Sequence, residues 1–419
     1  MGEGGSSEDR AAPTGLGTKG STMATTSTTP EAPTTGRGRI ALAVADAGWY
    51  TTENLFRETP GDRASTLLLR CADIRVAWAK GQRPWSWNRP TIEDAPGIWS
   101  RDLVLPTGWM KSYPSVGMRP ITRTVRRWRE GLRVGGPLAL VMTYPYYLHL
   151  ADRTWPDKLV YFNVDDYRLY WPKVADELTR LEHRAVREAS LTVCTSLLRA
   201  EELRAAVPEA AGRIRHLPHG APSASLPARP QDLPAPAPAD IAHLSRPLIG
   251  YVGTLEDRVD WSILRQVAEA QPAASIVLVG RVGPDGEADW QGERRACLGL
   301  PNVHAIGWRG QALIDSYNRS FDLGLIPYRV DHPFNLACCP TKIMDYMAAG
   351  RPVVSTDLPE CRLHDRLFDV VAPSRFAEAV SAKLAGGPDD GQASARLDHA
   401  REHSCRRVAG RLLDWIGEP

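Results

Sequence analysis

The stretch Pro340–Thr356, with the sequence PTKIMDYMAAGRPVVST, decides the fold because it predicts a helix that turns directly into a strand. Pro340 is suited to open a helix and Gly350 to end it, so about nine helical residues are expected between them. The β-branched residues that begin at Val353 then predict a short buried strand. The stretch is therefore one α/β unit.

One face of this predicted helix carries polar groups suited to a phosphorylated ligand. Thr341, Lys342 and Asp345 lie within one helical turn and share that face, whereas the apolar residues around them point toward a core. At the helix start, unpaired backbone N–H groups and the positive end of the dipole suit a phosphate beside Lys342. Asp345, one turn later, is placed to accept hydrogen bonds from sugar hydroxyls.

Apolar runs upstream of this unit predict the buried strands of a parallel sheet. Strands that alternate with helices at such intervals favour right-handed crossovers, with helices on both faces of the sheet. The predicted strands are Pro247–Leu255, Ala274–Gly280, Asn302–Gly307 and Phe321–Tyr328, and the predicted helices between them are Asp260–Ala270 and Ala312–Tyr317.

These features resemble the donor-binding part of GT-B glycosyltransferases, in particular the retaining, family 4-like glycosyl transferases of group 1. That family has a Pro-x-Lys-x-x-Glu-Tyr-x-Ala-x-Gly-x-Pro-Val-Val pattern, and the similarity spans roughly residues 245–416. It implies an α/β protein of the GT-B class, with two Rossmann-like doubly wound domains facing a cleft. It also implies a C-terminal helix that crosses back to the N-terminal domain.

The chain departs from the family pattern at two positions. Asp345 stands where the pattern has Glu, and Ala337 stands where many relatives carry a Glu that holds the donor sugar. Backbone groups of Asn335–Cys339 are an alternative contact for that sugar. The departures leave open a GT-B pseudoenzyme that acts as a binding or scaffold partner.

The resemblance implies a nucleotide-sugar donor site at the carboxyl ends of the C-terminal strands. Positive groups there would stabilise the leaving diphosphate, so neither a metal nor another cofactor is expected. The alternative for Arg258 is an ordinary surface charge. The expected donor-binding residues are Gly253, Thr254, Arg258, Arg281, Pro340, Thr341, Lys342 and Asp345.

The first half of the chain predicts a second domain of the same class. By resemblance, Asp165 and Asp166 at a strand end are the candidate catalytic residues, and His219 lies in the hinge. The alternative for Asp165 is a cap on the following turn. The predicted strands are Arg39–Val44, Pro137–Met142, Lys158–Asn163, Leu191–Cys194 and Ile214–Leu217, with helices at Lys173–Ala189 and Ser196–Ala206.

Composition divides the chain into predicted segments. Residues 1–37 are rich in Gly, Ser, Thr and Pro and are expected to be a disordered tail, and Met23 is an alternative start. The predicted boundaries are 38–220 for the acceptor-binding domain, 221–246 for a Pro-rich linker, 247–398 for the nucleotide-sugar domain and 399–419 for the returning helix.

A net charge of +2 does not favour nucleic acid as a partner. The apolar runs are too short for a membrane span and no signal peptide follows Met1, so a cytoplasmic location is expected. The Arg-rich segment Arg119–Arg133 carries an apolar stripe at helical spacing. It predicts either a helix packed on its own sheet or a peripheral contact with an anionic membrane.

The expected function is transfer of a sugar from a nucleotide-sugar to an acceptor hydroxyl, in bacterial polysaccharide or glycoconjugate assembly. The acceptor is a saccharide, a lipid-linked molecule or a small molecule. A natural-product glycosyltransferase is the enzymatic alternative, and a hydrophobic acceptor pocket would favour it.

Overall fold

A computed structural model describes residues 39–79, 81, 89–132, 136–229, 233, 235–283, 288–387 and 390–418. The predicted tail over residues 1–37 lies outside the described residues, as does part of the predicted linker over 221–246. Two β-sheets organise the described chain, and we call each sheet with its helices the N-terminal or the C-terminal lobe.

The sheet of the N-terminal lobe has eight strands. They are β1 (Ile40–Ala45), β2 (Ala64–Asp73), β3 (Ile92–Ala95), β4 (Ile98–Leu105), β5 (Leu138–Met142), β6 (Lys158–Asn163), β7 (Leu191–Cys194) and β8 (Ile214–His216). Their order is β3-β4-β2-β1-β5-β6-β7-β8, and only the β3–β4 pair is antiparallel. The central strands are apolar along their whole length because helices cover both faces.

The helices of the N-terminal lobe connect these strands. They are α1 (Tyr50–Arg57), α2 (Ile74–Ala79), α3 (Pro114–Leu132), α4 (Leu148–Thr154), α5 (Tyr167–Tyr170), α6 (Ala175–Glu188) and α7 (Leu197–Ala206). Helix α7 begins where the sequence predicts, because the Ser196 side chain accepts from the Arg199 backbone N–H and caps the helix.

The sheet of the C-terminal lobe is parallel throughout, in the order β11-β10-β9-β12-β13-β14. Its strands are β9 (Leu248–Val252), β10 (Ser275–Val279), β11 (Val303–Gly307), β12 (Leu323–Ile326), β13 (Val353–Thr356) and β14 (Asp369–Val371). Its helices are α8 (Trp261–Ala270), α9 (Asp289–Leu298), α10 (Gln311–Ser320), α11 (Pro333–Ala337), α12 (Lys342–Ala348), α13 (Pro359–Arg362), α14 (Phe376–Ala385) and α15 (Ala393–Glu402).

The last helix, α16 (Cys405–Gly417), crosses back to the N-terminal lobe. Its buried residues Val408, Leu412 and Ile416 share a core cluster with the central strands of the N-terminal sheet. Arg63 of that lobe donates to the Gly410 carbonyl (3.2 Å). The predicted return of the chain end is confirmed.

Two chain segments cross between the lobes and pair with each other. Ala221 and Ser404 form a parallel bridge, in which the Ala221 N–H donates to the His403 carbonyl (2.9 Å) and the Cys405 N–H donates to the Ala221 carbonyl (2.8 Å). The bridge directly follows His219, where the sequence predicts a hinge.

The Arg-rich helix α3 packs on its own lobe. Its apolar stripe, formed by Ile121, Val125 and Trp128, is buried in the N-terminal core. That stripe is therefore covered by protein and is not free to enter a membrane. No helix among the described residues is both long and apolar enough to cross a membrane.

Several elements are absent from the sequence prediction. The ten-residue strand β2 and the helices α14 and α15 are examples. The Trp-rich segment Trp78–Trp109, which the sequence leaves unassigned, contributes β3 and β4 to the sheet edge. Strand β3 is exposed along its whole length, so it carries no apolar signal.

Candidate active site

The topology of each sheet creates a crevice beside its first strand. In the C-terminal sheet β9 lies between β10 and β12, and in the N-terminal sheet β1 lies between β2 and β5. Connections leave in opposite directions on the two sides of such a strand, and ligands of doubly wound sheets bind at that point. Both crevices open into the cleft between the lobes.

Three cavities follow this cleft, and neighbouring cavities share residues. The central cavity, of about 310 Å³, is lined by both lobes. The C-lobe cavity, of about 330 Å³, shares Gly253, Thr254, Thr341 and Lys342 with it. The N-lobe cavity, of about 460 Å³, shares Trp49 with it. The three cavities thus form one path from lobe to lobe.

Lys342 is a buried cation at the junction of the central and C-lobe cavities. Its Nζ lies 4.9 Å from the ring centres of both Tyr251 and Tyr328 and donates to the Tyr328 hydroxyl (2.6 Å). Gly253 makes room for it, since a Cβ there would lie 2.7 Å from Nζ. Within the part of the chain that the structure describes, Lys342 forms no ion pair. A buried charge without a counter-ion favours an anionic ligand.

Arg258 is a second cation in the central cavity. Its Nε donates to Asn335 Oδ1 (2.9 Å), and Nη2 donates to Cys338 Sγ (3.1 Å). Its guanidinium lies 5.2 Å from the Tyr328 ring centre and 5.4 Å from that of Phe334. Arg258 also forms no ion pair among the described residues. These contacts fix the guanidinium without neutralising it, which argues against an ordinary surface charge.

The helix that contributes Lys342 starts two residues later than predicted. The carbonyl groups of Pro340 and Thr341 nevertheless accept the first backbone hydrogen bonds, from Ile343 (3.1 Å) and Met344 (3.1 Å). Pro340 and Thr341 also line the central cavity. The predicted polar face is therefore turned toward the cleft.

Asp345 lies one turn further along, in the C-lobe cavity. Burial raises the pKa of its carboxyl to about 7, although Lys342 opposes the shift. Arg281 lines the same cavity, with its guanidinium 5.6 Å from the ring centre of the exposed Trp308. Tyr50 reaches the cavity from the N-terminal lobe. Hydroxyl-accepting and ring-stacking groups are thus combined at the end of the path.

The two candidate catalytic carboxylates have different surroundings. Asp165 lines the central cavity, where its Oδ2 accepts from the Tyr170 hydroxyl (2.7 Å). Its Oδ1 is buried and has no hydrogen-bond partner among the described residues. Burial raises the pKa of Asp165, and the Tyr170 hydrogen bond and Arg258 oppose the shift. Asp165 therefore has one buried oxygen whose hydrogen bond is not made within the described residues.

Asp166 caps helix α5 and pairs with Arg168. Its Oδ1 accepts from the Arg168 backbone N–H (3.0 Å) and so caps α5, and both of its oxygens bind the Arg168 guanidinium. Burial disfavours its ionised form, but the contacts with Arg168 and Arg199 outweigh burial and lower the pKa of Asp166. The cap expected of Asp165 thus belongs to Asp166. Arg168 thus occupies the oxygens of Asp166, whereas Asp165 lines the central cavity, and a catalytic role for either residue stays a prediction.

The structure brings all eight predicted donor-binding residues to the path. Arg281 and Asp345 line the C-lobe cavity, and the other six line the central cavity. Their binding roles remain predictions. Sequence reasoning missed the aromatic residues that line the path or lie at its edge, most of which follow a strand or stand at the start of a helix: Trp49, Tyr50, Tyr170, Trp308, Tyr328 and Phe334.

His219 and the consecutive cysteines Cys338 and Cys339 also line the central cavity. Burial lowers the pKa of His219 to about 4 and raises the pKa of Cys338 to about 11, so both are neutral near pH 7. Among the described residues, no group of three or more His, Cys, Asp or Glu side chains could hold a metal ion.

Comparison with known proteins finds similarity to glycosyltransferases over part of this chain. Residues 246–385 match the family described as glycosyl transferases group 1. TuaH of Bacillus subtilis strain 168, a glycosyltransferase assigned to teichuronic acid biosynthesis, is 25% identical over 175 residues, which cover 41% of this chain and 43% of TuaH. The aligned part thus spans less than half of that relative.

Solved structures extend the likeness to both lobes. Anabaena Alr3699/HepE, in complex with UDP and glucose, is 16% identical, with a TM-score of 0.58 over 91% of this chain and 100% of that one. A UDP-forming α,α-trehalose-phosphate synthase from Burkholderia xenovorans is 12% identical, with a TM-score of 0.62 over 90% of this chain and 98% of that one.

This chain has the GT-B fold. The predicted α/β class and the resemblance to group 1 glycosyltransferases are both confirmed. In GT-B terms, the central cavity lies between the two lobes, and the matched family segment supplies its C-terminal wall.

The buried cation Lys342 in the cleft leads to a first prediction. Lys342→Met keeps the aliphatic stem but removes the charge, so nucleoside diphosphates should bind on the order of tenfold to a thousandfold more weakly. Binding of the uncharged nucleoside should change little. Titration calorimetry with both ligands measures this, with Lys173→Met on the exposed surface as the control. Equal diphosphate affinity in the wild type and the Lys342 variant would contradict the assignment.

A second prediction concerns Asp345 and pH. A carboxyl whose pKa is about 7 when folded and near 4 when unfolded binds its proton more tightly in the native state. The protonated carboxyl therefore stabilises the folded state at low pH. This part of the free energy of unfolding is lost as pH rises between about 4 and 7, at up to about 1.4 kcal/mol per pH unit.

Asp345→Asn has no such proton to lose. Denaturant unfolding is measured from pH 4.5 to 8, in steps of about half a pH unit. The free energy of unfolding of the wild type should fall relative to that of the variant up to about pH 7, and the two should change in parallel above that pH. Parallel curves across the whole range would show that Asp345 is ionised throughout.

Proposed function

We propose that this protein is a nucleotide-sugar-dependent glycosyltransferase that transfers a sugar from a nucleoside diphosphate to an acceptor hydroxyl. The observation that carries the proposal is the pair of cations, Lys342 and Arg258, held without carboxylate partners among the described residues at the centre of the path. A diphosphate is an anion of suitable charge and size for this position.

The two cations would act most strongly as the sugar leaves the diphosphate. The bond between the anomeric carbon and the phosphate oxygen breaks, and negative charge grows on that oxygen. Because Lys342 and Arg258 are already fixed by their ring and hydrogen-bond contacts, they need little reorganisation to stabilise that charge. Metal independence is part of the proposal on this ground.

The C-lobe cavity would hold the nucleoside. Asp345 is placed to accept from ribose hydroxyls, and the exposed Trp308 offers a ring face for the base. UDP is the first nucleotide to test, because the Anabaena and Burkholderia proteins of the same fold are described with UDP.

The central cavity would bring the acceptor hydroxyl to the anomeric carbon. Asp165 lines this cavity, and its Oδ1, which has no hydrogen-bond partner among the described residues, would accept a hydrogen bond from that hydroxyl and so orient its oxygen. In a retaining reaction, the oxygen attacks on the face that the phosphate leaves, and its proton passes to the departing phosphate oxygen. We propose retention on the family resemblance of the donor segment.

The N-lobe cavity would bind the rest of the acceptor. Its walls include the aromatic residues Trp109, Tyr144, Tyr167 and Trp171, which suit stacking against sugar rings. Similarity to TuaH supports a saccharide acceptor in bacterial polysaccharide assembly. The reaction is proposed to take place in the cytoplasm, and any peripheral membrane contact would use residues outside the buried stripe of α3.

The same aromatic walls favour a second candidate, a glycosyltransferase for an aromatic small molecule. The cavity is enclosed by rings on several sides, as a hydrophobic acceptor requires. Saccharide and aryl acceptors are therefore both tested below.

The third prediction tests the function directly. Among UDP, GDP and dTDP, one should raise the melting temperature through binding to the native state, and its sugar conjugates should support transfer. Mass spectrometry of reactions with oligosaccharide or aryl-alcohol acceptors identifies the acceptor class, and NMR of the product reports the anomeric configuration. Binding without transfer to any acceptor would favour a pseudoenzyme, and no response to the three nucleotides would exclude the donor site.

The fourth prediction is metal independence. Transfer with the identified donor should continue in excess EDTA, because fixed cations already occupy the role that Mg²⁺ or Mn²⁺ has in other transferases. The control is the same assay after dialysis against EDTA and re-addition of each metal. Activity that is lost and then restored by a metal would remove the proposed phosphate roles of Arg258 and Lys342.

A further inference from the structure

An aromatic contact crosses the cleft at the edge of the central cavity. Tyr170, at the end of α5 in the N-terminal lobe, meets Phe334 of α11 in the C-terminal lobe. The ring centres are 4.6 Å apart and the planes are inclined by 84°, which is the edge-to-face arrangement that aromatic pairs favour. We call this pair the interlobe ring contact.

Tyr170 connects the ring contact to the candidate catalytic carboxylate. Its hydroxyl donates to Asp165 Oδ2 (2.7 Å), and this bond leaves Asp165 Oδ1 as the oxygen without a partner among the described residues. The orientation of the carboxylate in the central cavity therefore depends on where the Tyr170 ring lies. Tyr170 is 38% exposed, and Phe334 gives its shortest ring contact, at 4.6 Å against 6.2 Å to Trp49 and 5.7 Å to Trp171 of its own lobe.

Phe334 connects the same contact to the donor side. The Arg258 guanidinium lies 5.4 Å from its ring centre and bonds to Asn335, the next residue of α11. Helix α11 is thus fixed to a cation of the proposed diphosphate site at the same place where it meets the N-terminal lobe.

We propose that Tyr170 and Phe334 are positioning residues that orient Asp165 toward the acceptor only while the two lobes are together. When the lobes separate, the Tyr170 ring loses its nearest aromatic neighbour, and the hydrogen bond that orients Asp165 loses that part of its support. This inference rests on the proposed function. It adds a requirement for contact between the lobes that the donor and acceptor residues alone do not impose.

The two residues should affect turnover in distinguishable ways. Tyr170→Phe keeps the ring but removes the hydroxyl that favours ionised Asp165, so kcat should fall about tenfold. The acid limb of its pH profile should move upward by about one pH unit. Phe334→Leu keeps apolar bulk beside Arg258 but removes the edge-to-face contact, and it should lower kcat by a similar factor.

A double variant tests whether the residues act as a unit. If Phe334 acts through Tyr170, the Tyr170→Phe, Phe334→Leu protein should be little worse than either single variant, because effects within one unit are not additive. Trp155→Phe, at an exposed aromatic residue outside the three cavities, is the control and should leave kcat unchanged. Melting temperatures and nucleotide affinities are measured for every variant to separate misfolding from loss of positioning.

The outcomes separate this inference from the proposed function. A wild-type protein that binds no nucleotide and transfers no sugar contradicts the proposed function. A wild-type enzyme that is active, with an unshifted acid limb in Tyr170→Phe, overturns the positioning role of Tyr170. Losses in kcat that multiply in the double variant overturn the coupling through Phe334.

Discussion

The arrangement of the cleft depends on one buried ammonium group. Lys342 Nζ lies between the rings of Tyr251 and Tyr328, and only a hydroxyl accepts its hydrogen bond among the contacts described here. Enclosing a cation without a carboxylate is costly in the absence of ligand, and an anion that enters the cavity removes much of that cost. The neighbours of Lys342 suit this arrangement, since Gly253 has no Cβ to obstruct the amine.

Topology explains why the cation meets the other functional groups. Both sheets place their first strand at an interior position, so each lobe has its crevice beside that strand, at the carboxyl end. The crossing segments join at Ala221 and Ser404, and α16 packs against the N-terminal sheet. With the lobes tied in this way, the two crevices face each other and their cavities share Trp49 and the loop at Gly253.

Elements that a short sequence pattern marks could be predicted from the sequence. The strands β6 and β7 have the predicted bounds, because short, mainly apolar runs mark strands that are buried on both faces. The donor residues around Lys342 could also be located, because a short helix presents them at fixed spacing.

The aromatic part of the site could not be predicted in the same way. Tyr328 and Phe334 are ordinary aromatic residues in the sequence pattern. Their contacts, with Lys342 for Tyr328 and with Tyr170 of the other lobe for Phe334, depend on the tertiary structure. The sequence likewise does not show that Arg168 pairs with Asp166 whereas Asp165 accepts from Tyr170.

A contact away from the cavities limits how far the lobes need to move during a reaction. Glu360 of α13, in the C-terminal lobe, is buried and accepts from the Leu197 backbone N–H at the start of α7, in the N-terminal lobe. His216 of β8 lies 3.3 Å from the same carboxylate. The first turn of α7 thus has one of its unpaired N–H groups satisfied by the opposite lobe.

Because such a bond is lost when the lobes part, it favours the apposed state even in the absence of substrate. Ligands then enter a cleft whose cations and carboxylate are already near their working positions, and less of the binding energy is spent on bringing the lobes together.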